Sequence, residues 1–117
     1  MKVGIVGYTI RLEDPHSSGE TYHVPPFNYG SNVLVGDTMG ESSVDITYNY
    51  SKHFDKSQII DKTATEAEPY LRSLLETLGN DVVPDYWSAT EGNVKQFVSL
   101  LFLWGVMHPE GVWRYEP

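Results

Sequence analysis

Apolar positions are densest between Ser88 and Pro109. Val94, Phe97, Val98, Leu101 and Trp104 recur at three- and four-residue spacing, which lays them along one face of a helix. Ser88, Ala89, Thr90 and Glu91 read as a capping box, so the helix is predicted to start there. Its opposite face begins polar with Gln96 and Ser99 and continues as Leu103 and Val106. The first half should therefore face water on that side, and the second half should be covered all round. His108 before Pro109 ends the helix, because a residue preceding proline is pushed out of the α region. The apolar run is far shorter than the ~20 residues a bilayer requires, which favours a central helix over a membrane span.

A second helical stripe comes from Ala67, Leu71, Leu74, Leu75 and Leu78. Thr63 or Thr65 caps it, each followed three residues later by Glu66 or Glu68. Gly79 supplies the stop, and Pro69 sits early enough to be tolerated. Strand periodicity governs the first part of the chain. Val6, Tyr8, Ile10 and Leu12 alternate with Gly7, Thr9 and Arg11 between Lys2 and Leu12. Val44, Ile46, Tyr48 and Tyr50 alternate with Asp45, Thr47, Asn49 and Ser51, giving one apolar and one polar face. Asn32 to Val35 is a short strand candidate, with a turn from Gly36 to Ser43, and Val112, Trp113 and Tyr115 suggest a brief closing strand or a tail packed on the sheet. The early strands lie too close together for crossover helices, which favours antiparallel pairing. The expected fold is a single α+β domain over residues 1–117: a small antiparallel sheet of three to five strands with two principal helices packed on one face.

Glu13 to Gly30 has the proline and glycine content of a loop. It also holds His16, His23, Tyr22, Phe27 and Tyr29; Tyr22, Phe27 and Tyr29 are read as folding back onto the core, since an exposed cluster of that size invites aggregation, with a ligand or partner surface as the alternative. The segment from Ser51 to Asp61 fits either a helical turn or a loop, anchored by Phe54, Ile59 and Ile60. Asp81 to Trp87, with Pro84, is a connector.

Composition narrows the classes. The 117 residues are 40% hydrophobic and 13% aromatic, enough for a core, and contain no cysteine, which removes disulfide and thiolate chemistry. No basic region with an apolar run and a cleavage site opens the chain, so a cytoplasmic location is expected. The net charge of -8, from 16 acidic and 8 basic residues, opposes direct binding to nucleic acid or anionic membranes and is compatible with a basic protein partner. It leaves self-association into a homo-oligomer open.

Catalytic signatures are missing. Val3-Gly4-Ile5-Val6-Gly7 begins like a dinucleotide-binding strand, but Tyr8, Thr9 and Ile10 continue the strand where further glycines and a helix are required. His16, His23, His53 and His108 have no paired metal spacing, and no nucleophile elbow occurs. No metal, cofactor or catalytic residue is therefore assigned. What remains is aromatic and amide-rich: Tyr48, Asn49, Tyr50 and His53 at the end of the clean strand, and Tyr86, Trp87 and Asn93 at the start of the long helix. Element ends are where a rigid scaffold commonly holds binding groups, so Tyr48, Asn49, His53, Trp87 and Asn93 form the candidate ligand-binding set. The alternative role for Asn49 and Asn93 is to tie loop to helix by hydrogen bonds.

Tyr48-Asn49, Ala67-x-Pro69-x-Leu71 and Trp87 followed by Gly92-Asn93 ahead of the apolar helix ending at His108-Pro109 resemble a group of small uncharacterised proteins from phages and bacterial genomes. The likeness covers roughly Val44 to the C-terminus. The Ser51 to Asp61 segment departs from that pattern by being less helical, and the Glu13 to Gly30 loop has no counterpart there. No activity is attached to the group, so the resemblance implies a mobile or viral genomic context, and host cytoplasm if phage-encoded. The function expected is that of a non-enzymatic binding protein of phage or prophage type. It would hold a small ligand, such as a nucleotide-like immune signal, or a host defence protein. Two alternatives stand beside it: an acidic decoy for a basic nucleic-acid-binding host protein, and a small hydrolase using His53 or His23 with a neighbouring carboxylate.

Overall fold

A computed structural model describes residues 7–17, 19–25, 43–84 and 88–116. The described elements are β1 (Gly7–Glu13), β2 (Val44–Thr47), two 3-10 turns (Tyr48–Lys52 and Lys56–Gln58), α1 (Ala64–Thr77), α2 (Glu91–Met107) and β3 (Val112–Glu116). Among the described residues the sheet has three strands in the order β2-β1-β3, antiparallel throughout, with the two helices packed on one face. The α+β expectation holds, at the low end of its strand count. The Asn32 to Val35 strand candidate lies outside the described residues.

Alternation along β1 sends Tyr8, Ile10 and Leu12 inward, where register sets Tyr8 opposite Ile46, Ile10 opposite Val44 and Tyr115, and Leu12 opposite Trp113. Ile10, Leu12, Val44, Ile46 and Trp113 are all fully buried, each contributing about 1.5–3 kcal/mol or more relative to exposure. The other side of the sheet is polar. The Thr9 hydroxyl donates to Asp45 at 3.1 Å, Arg11 pairs with Glu116, and Arg114 pairs with both Glu13 and Asp61.

The predicted strand from Val44 to Ser51 stops at Thr47. The Thr47 hydroxyl accepts from the Asn49 N–H at 3.2 Å and starts a 3-10 turn in its place. That turn swings Tyr50 fully into the core, its ring edge-on to Phe97 at 6.0 Å, so Tyr48 and Tyr50 do not share a strand face. Ser51 to Asp61 resolves into the end of that turn and a second one, capped by Asp55 accepting from the Ser57 N–H. Tyr22 packs against the core as expected, carried there by an Asp14–Glu20 reversal in which Thr21 bridges Glu13.

Of the two candidate caps for α1, Thr63 is used. Its hydroxyl accepts from the Glu66 N–H at 3.0 Å while Glu66 accepts from the Thr63 N–H at 2.9 Å, a complete capping box. The cap of α2 is Thr90 rather than Ser88: the Thr90 hydroxyl accepts from the Asn93 N–H, and Glu91 reaches away to accept from the Gly79 N–H just past α1. One carboxylate thus joins the end of one helix to the start of the next.

The expected faces of α2 are reversed along its length. Its first half is buried, including Gln96 at 2% exposure, whereas Val106 and Met107 in its second half are 56% and 51% exposed and Leu103 is exposed beside them. The physical reason is that α2 enters through the core, and α1 and β3 cover only one side of its far end. No helix among the described residues is long and apolar enough to cross a membrane.

Candidate functional site

The candidate ligand-binding residues separate in space. Tyr48, at the start of the 3-10 turn after β2, packs on Tyr8 with ring centroids 5.0 Å apart; Asn49 beside it is exposed, and His53 at the turn's end is half-buried. Asn93 is only 1% exposed. Its side-chain carbonyl accepts from the Val83 N–H at 3.0 Å and its amide donates to the Ser88 carbonyl at 3.0 Å. That arrangement is the loop-tying role weighed from the sequence. Trp87 lies outside the described residues.

Tyr48 belongs to a group whose other members periodicity did not single out. The inward face of β1 begins at Tyr8, which is only 7% exposed, and Tyr115 on β3 stands against it at 5.9 Å with planes 83° apart. The Lys56 ammonium sits in that corner, 5.2 Å from the Tyr8 ring centre and 4.9 Å from that of Tyr115. Burial first, then the neighbouring Tyr48 and the Asp55 carboxylate, push the Tyr8 hydroxyl well above its ordinary pKa, so it remains a neutral phenol. Tyr70 closes the same region from α1, its hydroxyl accepting from the Asp55 N–H at 2.7 Å.

A hollow opens elsewhere, between the helices. Gly105 of α2 lets the helices approach so closely that an added Cβ would lie 3.1 Å from the Ala64 Cβ. Beyond that contact they diverge into a groove of about 290 Å³, lined by Ala64, Leu71, Phe102, Val106 and Pro109 along its apolar length. Thr65, Glu68 and Arg72 supply its polar side. Arg72 pairs with Glu68 one turn back and lays its guanidinium over the Phe102 ring at 5.6 Å, so the polar rim is held in place by α1 and by a ring of α2. The Thr65 hydroxyl donates to the Pro109 carbonyl and ties the groove's far end to the turn after α2. The sequence signal for this site was the exposed apolar half of α2, which periodicity alone assigned to the interior.

A third group joins loop and turn. The Tyr22 ring stacks on His108 at 3.8 Å, and its hydroxyl donates to Glu110 at 2.7 Å. That hydrogen bond holds the Glu110 carboxyl below its ordinary pKa and raises that of Tyr22. Among the described residues, no hydrogen bond or ion pair joins His23 or His53 to a carboxylate, and no group of His, Asp or Glu side chains could hold a metal ion. Comparison with known proteins finds no matching family model, no matching curated protein and no matching solved structure.

Proposed function

We propose that this chain is a non-enzymatic binding protein and that the groove between α1 and α2 holds a small molecule with an apolar body and a polar end. The observation that carries the reading is the groove itself: concave, mostly apolar, with a few converging polar groups, and close to the lower size usual for ligand sites. Leu71, Phe102, Val106 and Pro109 suit the apolar body. Arg72 with its partner Glu68 offers a donor and an acceptor together, which suits an amide or hydroxyl better than a phosphate that Glu68 would repel. The phage or prophage context rests on the sequence resemblance alone.

The two alternatives find less support. A decoy requires a row of free carboxylates. Glu13 and Asp61 pair with Arg114, Glu116 with Arg11, and Asp55 and Glu66 cap turns and helices. A hydrolase built on His53 or His23 lacks the orienting carboxylate among the described residues.

Incubation with cell extract, re-isolation and mass spectrometry of heat-released molecules tests the proposal. The wild-type chain is expected to release an enriched apolar compound, and Val106→Trp, which fills the groove from an exposed position, is expected to release none. Absence of any enriched compound, or equal retention by Val106→Trp, defeats it.

A further inference from the structure

The corner formed by Tyr8 and Tyr115 is a cation site already filled by the chain's own Lys56. Two phenol faces at 83° present their negative π surfaces to one point, and the Lys56 ammonium lies about equally close to both. Tyr48, packed on Tyr8 and 39% exposed like Tyr115, adds a third ring next to the pair. Among the described residues, the Lys56 ammonium makes no hydrogen bond or ion pair; it lies against the two rings, with the Asp55 carboxylate near enough to attract it as well. A surface lysine otherwise keeps its strongly hydrated head in water; the Asp55 carboxylate holds Lys56 nearby, and the position of its ammonium over both ring faces reports the pull of the rings.

Lys56 is a poor permanent occupant. Its primary ammonium regains full hydration when it leaves, whereas a methylated ammonium has little hydration to lose on entering. Its backbone belongs to a three-residue 3-10 turn, and Tyr48 and Tyr115 both reach solvent. The -8 charge of the chain draws cations towards its surface generally.

We infer that Tyr8, Tyr48 and Tyr115 form an aromatic cage for a methylated ammonium group, with Lys56 as a built-in competitor that an incoming ligand displaces. This site shares no residue with the groove between the helices and stands or falls independently of it.

Titration with tetramethylammonium chloride, followed by NMR of the tyrosine rings against a sodium chloride control, tests the cage. Lys56→Ala removes the competitor, so it is expected to bind roughly tenfold more tightly than the wild type, as the competent fraction of cages rises. Adding Tyr115→Leu to Lys56→Ala is expected to abolish the ring shifts, and Tyr48→Leu, at an equally exposed position, to weaken them. A trimethyllysine peptide and choline then separate the two sources of such a group: tighter binding of the peptide identifies a protein partner, tighter binding of choline a small molecule. Ring shifts no larger than with sodium chloride in Lys56→Ala overturn the proposal. So does undiminished binding by both tyrosine variants with their backbone spectra intact.

Discussion

Asn93 illustrates how a single polar residue can be misread from its neighbours in the chain. Its place in the first turn of α2 suggested ligand contact, yet both ends of its amide are engaged with the connector ahead of the helix, at Val83 and Ser88. Replacing it with alanine leaves a buried N–H and a buried carbonyl without these partners, a penalty of about 1–3 kcal/mol in all. Asn93→Ala is therefore expected to lower the urea midpoint markedly; a shift of less than about 0.5 kcal/mol would show that the connector does not depend on it. The aromatic residues read differently. Tyr48 was singled out for its place near the end of a clean alternation, on the face periodicity assigns to the interior, yet it is 39% exposed. Its neighbours Tyr8, Tyr115 and Lys56 come from three other elements, a grouping that no local spacing reveals.

At the scale of elements, both helices were recognisable from their stripes, and α1 from its capping box as well. Their starts and faces were less so. Ser88 and Thr90 both satisfy the capping rule locally, and the choice falls to Thr90 because Glu91 is drawn away to the end of α1. The connector presses on α2 one residue further along: a Cβ at Gly92 would lie 2.6 Å from the backbone of Asp81 and Val82. In an isolated helix, Gly92→Ala would gain about 1 kcal/mol from propensity. Here overpacking against fixed backbone, at about 1–3 kcal/mol, is the larger effect. Net destabilisation on chemical denaturation is the expected result, and a stabilised variant would mean that the connector yields freely. The shortening of β2 has a comparable cause: alternation continues through Tyr50, but the Thr47 hydroxyl offers the Asn49 N–H a local partner and the chain turns.

For the whole molecule, acid is the most informative perturbation. Asp14 and Asp55 are held below their ordinary pKa chiefly by hydrogen bonds from the backbone of His16 and the side chain of Ser57, and Glu110 by the Tyr22 hydroxyl. Each folded pKa lies below its unfolded value, so each contributes stability above the unfolded value of about 4 that is lost as pH falls through the folded one. Thermal unfolding midpoints should fall on acidification below about pH 4, even though protonation also relieves the -8 charge. Tyr22→Phe removes the main cause of the Glu110 shift and should flatten that acid slope; an unchanged slope would assign it to the other carboxylates. The α+β class, the two helices and the strand identities of β1 and the start of β2 were determined by sequence, because periodicity and capping chemistry act over a few residues, whereas Val112 to Tyr115 read equally as strand or tail until pairing with β1 decided it. Which side of α2 is covered, where the helices part to form a groove and which rings surround Lys56 were decided only by tertiary structure. Those features depend on surfaces brought together from distant parts of the chain, as when Gly105 meets Ala64 and β3 lays Tyr115 against Tyr8.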